Sequence, residues 1–459
     1  MAKSDSRVYL FESMPIPQAV AQLSIPVVLS SLVSVVYNLA DTFFVGMLND
    51  PIQNAAVTLV YPVMLAFNAV NNLFGVGTSS MMSRSLGAGD HEKVRRCSAF
   101  GFYGALFSGL FFSLICTVFR MPLMDLLGAD EVTLDATYDY MFWTVCCGAA
   151  PAILNVVQGY MVRSEGSALH ASIGTMSGCI LNIILDPIFI LPWGLNMGAA
   201  GAGLATFLSN CVACLYFLIL ARVKKGNTFV CIDIRKLKGL PKEIVIGILG
   251  VGIPASIQNL LNVVCSTVLN NLTASYHPYA VAAMGISHKL NMVPFQVAFG
   301  FSQGIMPLVS YTHASGDRNR MKKSILFAMG IILPIMALVT VCTYIFAPGL
   351  ISLFMADPEV IAYGTRFIRG MCLVLVFCCT DFLTVGVFQA LGMGKNALLF
   401  ALLRKVVLEI PLLFALNALF PLYGLPYAQV ITEIILSVAA VFMLMKIFRQ
   451  EDPRLSATH

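Results

Sequence analysis

The chemistry of this chain is concentrated in a run that is otherwise inert: Leu181-Asn182-Ile183-Ile184-Leu185-Asp186-Pro187 sets an amide, a carboxylate and a proline among apolar residues. A carboxylate in hydrocarbon is costly enough that its presence is by default a functional signal. Asn182 and Asp186 stand four apart and so share one helix face. Pro187 has no N–H, which leaves the carbonyl of Ile183 without its intrahelical donor. A second carboxylate, Asp41, lies with Asn38 and Thr42 inside the first apolar run. If Asp41 and Asp186 face one cavity, burial and mutual repulsion both favour protonating one of them, and the pair titrates as a unit. Asn182, Thr206 and Tyr140 are placed to add oxygens or hydrogen bonds. The set is a candidate site for a proton or for a small hard cation such as Na⁺.

These residues need helices to hold them. The chain is 58% hydrophobic and 11% charged, with mean hydropathy +0.84, where soluble domains carry roughly 25% charge. The expected fold is an all-α polytopic membrane protein. About twelve apolar runs reach the ~20 residues that a bilayer core requires: 17–46, 55–82, 95–120, 136–162, 169–191, 197–221, 243–273, 279–310, 322–347, 361–391, 396–419 and 423–447. Pro26 lies in the first of these, about 22 Å from Asp41 along the helix at 1.5 Å per residue, so a kink there swings a long lever near the carboxylate.

Lys and Arg are confined to Arg84–Arg96, Arg222–Lys242, Arg318–Lys323, Lys395–Lys405, both tails and Arg163, leaving only Arg120, Lys289, Arg366 and Arg369 elsewhere. With twelve spans these are alternate loops, so the positive-inside rule places both termini in the cytoplasm. Topogenic charge accounts for the basic loops, and no nucleic-acid partner is expected. The thirteen Cys fall almost entirely in apolar runs, as packing residues. No HExxH, GxSxG or Walker pattern occurs, so neither an enzyme nor a bound cofactor is expected.

The chain is also a duplication. Gly89-Asp90 and Gly316-Asp317 stand 227 residues apart, and near that offset Gly77 falls on Gly304, Ser83 on Ser310, Pro26 on Pro254, Gly166 on Gly392 and Thr206 on Thr432. Six spans per half make parallel repeats related by an axis along the membrane normal. The expected organisation is a first lobe over 1–221, a basic linker over 222–242 and a second lobe over 243–459. The carboxylates break this symmetry, because Asp41 and Asp186 align with apolar Leu269 and Leu412. The second lobe offers its own polar set in Gln258, Asp381, Glu409 and Glu433.

The stretches Ser13-Met14-Pro15-Ile16-Pro17, Tyr37-Asn38-Leu39-Ala40-Asp41-Thr42-Phe43-Phe44-Val45-Gly46, Arg163-Ser164-Glu165-Gly166 and Leu181–Pro187 together resemble the multidrug and toxic compound extrusion (MATE) family. The likeness is to its MepA-like branch, related to the DinF type, and covers essentially the whole chain. It implies a secondary active antiporter exporting cationic or lipophilic compounds in exchange for H⁺ or Na⁺. Residue by residue it implies cation or proton binding at Asp41, Asn182, Asp186 and Thr206, with Tyr140 (or adjacent Tyr138), and a bend at Pro26. Where some relatives use a Glu in span seven for Na⁺, this chain has Gln258. Candidates for the drug cavity are Asn38, Phe43, Met64, Phe67, Asn155 and Met292, through cation–π and soft contacts. The expected partners are small-molecule substrates and the bilayer, with the chain a monomer. The rival reading is a flippase of lipid-linked or polar lipid intermediates; the few cations inside spans, with Lys289 the clearest, argue against it.

Overall fold

The computed structural model describes residues 7–48, 50–355 and 357–449. The ends of the two expected lobes, 1–6 and 450–459, with the tail residues Lys3 and Arg454, lie outside the described residues. Among these the chain is helical, with no strand. The helices run α1 (Ile16–Gly46), α2 (Pro51–Gly87), α3 (His91–Val118), α4 (Leu134–Cys147 and Ala149–Ser164, bent by 47°), α5 (Ala168–Ile190) and α6 (Gly198–Val223). After the linker come α7 (Lys242–Ala274), α8 (Pro278–Ala314), α9 (Arg318–Ser352), α10 (Pro358–Cys372 and Leu375–Ala390, bent by 43°), α11 (Gly394–Leu402, Leu403–Glu409 and Ile410–Leu419) and α12 (Leu425–Arg449).

Nine of these helices are long and apolar enough to cross a membrane outright, and eleven are when each bent pair counts as one span. The remaining run, α11, is helical from 394 to 419 but holds Lys395, Arg404, Lys405 and Glu409. Twelve rods therefore match the twelve apolar runs, and α11 is the one that departs in composition.

Turn chemistry explains why the duplication is visible in sequence. Gly89 and Gly316 both adopt positive φ (75° and 81°), which glycine accepts without a Cβ penalty. The next residue in each case caps a helix: Asp90 accepts from Lys93 N at 3.0 Å and Asp317 from Arg320 N at 2.9 Å. Such caps satisfy amides that the first turn otherwise orphans. The matched pair Gly77 and Gly304 has a different purpose. A Cβ on Gly77 would fall 2.4 Å from the carbonyl oxygen of Ile248 on α7, and one on Gly304 would fall 2.6 Å from Ser24 Cα on α1. Small residues let helix backbones approach closely where lipid supplies no hydrophobic drive. The two repeats thus meet each other through equivalent glycines, α2 on α7 and α8 on α1.

This seam is confined to one end of the molecule. It includes Gly252 against Leu73, Ser256 Oγ donating to the Ala69 carbonyl at 2.5 Å and Ser80 Oγ donating to the Gln389 carbonyl at 2.5 Å. These contacts lie in the halves of the helices nearest the linker and the 87–91 and 314–318 turns. Toward the other end Val36 and Phe43 of α1, Leu260 and Val264 of α7, and Met292 and Val293 of α8 are exposed. A strap crosses the closed end. The π-helical Tyr9–Ser13 segment is held by Arg320, whose guanidinium donates to the carbonyls of Phe11 (2.6 Å), Leu10 (3.2 Å) and Met14 (2.6 Å). Tyr311 donates to Glu12 at 2.7 Å and stacks on Phe11. Arg7 pairs with Glu165 of the first lobe at 3.3 Å.

Candidate ion and substrate site

On α5 the buried residues Gly174, Gly178, Asn182, Asp186 and Ile190 recur every four positions, while Ile180, Ile184 and Ile188 are exposed on the opposite side. The helix therefore turns its one polar stripe inward. Asp186 is 0% and Asn182 1% exposed. With its amide nitrogen toward Asp186, Asn182 donates to Oδ2 at 2.9 Å while its oxygen accepts from Thr206 N at 3.0 Å and Thr206 Oγ1 at 3.2 Å. Glycines at 174 and 178 let α6 approach: a Cβ at 174 would meet the Phe217 ring at 2.3 Å.

Asp41 comes from α1, which packs along α5, and interacts electrostatically with Asp186. Its Oδ1 is buried with no hydrogen-bond partner in the protein. Tyr140, buried on the first piece of α4, lies within electrostatic reach of Asp41 and Asp186. One residue was not singled out from sequence: Tyr37, one turn before Asp41, lies within electrostatic reach of Asp41 and Asp186 and beside Thr206. Its i, i+4 spacing to Asp41 was the available signal. Asp41, Asn182, Asp186, Thr206 and Tyr140 are thus brought together with Tyr37 inside the first lobe. Neither carboxylate makes an ion pair among the described residues; the neutral groups around them can accept or donate but not neutralise. Such a pair can hold a proton or a small cation through oxygen ligands.

The second lobe is built otherwise. Asp381 (α10), Glu433 (α12) and Glu409 (α11) are brought together, but each has a cation. Arg404 pairs with Asp381 at 3.1 Å and with Glu433, while Lys405 pairs with Glu409 at 2.6 Å. Cys265 Sγ donates to Glu409 at 3.0 Å, and Arg404 contacts Cys378 Sγ at 3.2 Å. This corrects the expectation that Lys395–Lys405 forms a cytoplasmic basic loop: Arg404 and Lys405 are 3% and 6% exposed in the lobe interior. The physical reason is the π-helical segment Leu403–Glu409. Consecutive residues of an α-helix lie about 100° apart, and the wider π turn, a feature often found at functional sites, seats both cations inward. Lys289, the clearest cation inside a span, is exposed on α8.

Gln258 does not join that cluster. It lines a cavity of about 400 Å³ between the lobes with Asn68, Asn71, Asn72, Asn259, Asn262, Gln296, Gln303 and Gln389, and with the rings of Tyr160, Phe295, Phe299 and Phe382. The side-chain oxygens of Asn71, Asn259, Gln303 and Gln389 are buried there without a protein partner. The chamber lining carries no charged residue.

The six drug-cavity candidates lie elsewhere. Phe67 is buried against Phe112 at 5.1 Å between ring centroids, Met64 packs on the core, and Asn155 donates to Asn210 at 2.6 Å. Asn38, Phe43 and Met292 are exposed. Pro26 sits inside α1, which is one helix through that point.

The duplicated fold, the closed seam and the two polar lobes define a transporter-like membrane protein, and comparison with known proteins supplies its family. The MatE family model matches twice, over residues 26–188 and 254–415, so each match begins at one member of the Pro26/Pro254 pair. The chain belongs to the MatE family. It is 33% identical over 444 residues to the multidrug export protein MepA of Staphylococcus aureus, covering 96% of both chains. It is likewise 33% identical over 441 residues to MepA of Staphylococcus saprophyticus, again 96% of both. Among solved structures it is similar to MATE in the straight conformation (TM-score 0.90, 26% identity, 97% of this chain and 99% of that one). It is also similar to MATE in the bent conformation (TM-score 0.88, 26% identity, 96% and 97%).

Proposed function

We propose that this protein is a cation-coupled multidrug antiporter of a bacterial inner membrane, exporting cationic or lipophilic compounds in exchange for H⁺ or Na⁺. The observation that supports it is the contrast between lobes. Asp186 is buried and Asp41 half-buried, with its Oδ1 buried, among neutral partners, whereas every acid of the second-lobe cluster has a fixed cation. Uncompensated buried carboxylates are expensive, and the cost is relieved by a proton or cation arriving from outside. Asn182, Thr206, Tyr140 and Tyr37 orient the pair.

In this reading 1–221 and 243–459 are the moving lobes, joined by the 222–242 linker, with both termini cytoplasmic and the chain acting as a monomer. The closed seam then lies at the cytoplasmic end and the molecule faces outward. Ionised Asp41 and Asp186 favour a cationic drug; loading them with H⁺ or Na⁺ removes that attraction and favours a bend of α1 at Pro26, which shrinks the space the two carboxylates face and releases the drug. A ligand drives this only through differential affinity for the two states. The neutral, amide-lined chamber supports drug export over the flippase alternative, since anionic lipid intermediates call for Arg or Lys in the path.

Dye efflux in everted vesicles, with the proton and Na⁺ gradients collapsed separately, tests the coupling. Asp41→Asn and Asp186→Asn should each reduce efflux at least about tenfold, the equivalent of 1.4 kcal/mol in the coupling. Unchanged efflux in both variants would refute the reading.

A further inference from the structure

The second-lobe cluster is unusual in its charge count. Three buried acids, Asp381, Glu409 and Glu433, face two buried bases, Arg404 and Lys405, with Cys265 from α7, His288 from α8 and Cys378 from α10 completing the shell. The guanidinium of Arg404 stands between Asp381 on α10 and Glu433 on α12. Each of those carboxylates keeps a buried oxygen without a hydrogen-bond donor, Asp381 Oδ1 and Glu433 Oε2. On its open face the guanidinium is covered by the Phe382 ring, 5.1 Å from its centroid, and that same ring lines the interlobe chamber. One aromatic ring therefore separates the cation from the chamber.

Two carboxylates from different helices, converging on one point and each with an uncommitted oxygen, are the donor set of a small hard cation. Arg404 already fills the point of convergence, and a side chain on a helix cannot leave as an ion can. We propose that Arg404 is a tethered occupant of a monovalent-cation site, so that the second lobe holds a latent Na⁺ site plugged by the protein's own guanidinium. Planar and permanently charged, Arg suits a bridge between two carboxylates better than Lys does. The consequence for transport rests on the antiport reading above: ion exchange is confined to Asp41 and Asp186, and the second lobe keeps its charge through the cycle. The occupancy itself does not depend on that reading.

Thermal unfolding of the full-length, detergent-purified protein tests it without any transport measurement. The background is Asp41→Asn/Asp186→Asn, which removes the first-lobe carboxylates. In that background NaCl and choline chloride at equal ionic strength should give the same midpoint, and Glu433→Gln should create no difference. Adding Arg404→Ala should lower the midpoint in choline, and NaCl or methylguanidinium should raise it again by roughly 3–5 °C. Adding Glu433→Gln to Arg404→Ala should abolish that response. A folded Arg404→Ala protein indifferent to both cations would overturn the proposal, as would a Na⁺ response in the background that Glu433→Gln removes. If Arg404→Ala does not fold, Arg404→Gln decides, because it removes the cation while keeping both carboxylates of the site and a polar side chain at 404. A Na⁺-dependent rise there supports the plug, and none overturns it.

Discussion

Gly252 offers the sharpest test of the seam. A Cβ built on it would lie 2.0 Å from the Leu73 carbonyl oxygen and 2.8 Å from that carbonyl carbon, short of ordinary contact by more than an ångström. The obstacle is backbone, so it cannot rotate away, and α2 and α7 must separate. Gly250, two residues earlier on the same helix, has nothing within 4 Å of its would-be Cβ. Gly→Ala brings the same gain in helix propensity, about 1 kcal/mol, at both positions. The difference between Gly252→Ala and Gly250→Ala therefore isolates the overpacking cost, about 1–3 kcal/mol. If that cost falls on the closed seam alone, it shifts the equilibrium between closed and parted seams by about 5–150-fold. Spin labels on Ala88 and Ser315, which flank the turns at the closed end, should report a longer distance population in Gly252→Ala and none in Gly250→Ala. Gly77→Ala, whose Cβ would meet the Ile248 carbonyl at 2.4 Å, should act alike, and the double variant should fall short of additivity because one separation relieves both clashes. Indistinguishable distance distributions and melting for Gly252→Ala and Gly250→Ala would refute the reasoning.

Three further outcomes are expected. Tyr37→Phe, which removes a hydroxyl beside Thr206 and within electrostatic reach of Asp41 and Asp186, should weaken the half-saturating coupling-ion concentration about 3–10-fold, as the loss of roughly 1 kcal/mol of hydrogen bonding implies. Arg320→Ala frees three strap carbonyls, and amide hydrogen exchange over residues 9–14 should rise while that of α9 beyond its first turn does not. Glu165, on the turn between α4 and α5, has its carboxyl pushed up by burial despite Arg7 and the donors Thr228 and Phe229. A folded state that binds the proton more tightly than the unfolded one loses stability as pH rises through the folded value, so the melting midpoint should fall as pH rises above the ordinary Glu value of about 4.3, and the slope should flatten in Glu165→Gln.

The helices were legible because each apolar run is long and bounded by turn residues, and the repeat was legible because Gly89-Asp90 and Gly316-Asp317 must recur wherever a positive-φ turn feeds an Asp cap. The Asn182–Asp186 stripe could be read because i, i+4 spacing needs no tertiary information. What failed was local geometry. Arg404 and Lys405, adjacent and beside an apolar run, look like a loop boundary to any reading that assumes α-helical turns, and only the π segment reveals that both point inward. Phe43 and Met292 are exposed on α1 and α8, and composition does not distinguish a side chain that meets lipid from one that lines a cavity. The amide-rich faces of α2, α7 and α8 were visible as polar stripes, but that they face one another across the lobes is a fact of packing.

The strap at the closed end also sets an order of events during synthesis. Arg320 holds the carbonyl of Phe11 across 309 residues of sequence, so the strap carbonyls of Leu10, Phe11 and Met14 wait for their donor until the start of α9 emerges. At about 5–20 residues per second that wait is roughly 15–60 s, during which the first lobe can be inserted and packed. Docking of residues 9–14 is then a late clasp that joins two lobes already formed, and a bulky tag fused at the N-terminus would act on that last step rather than on the helices themselves.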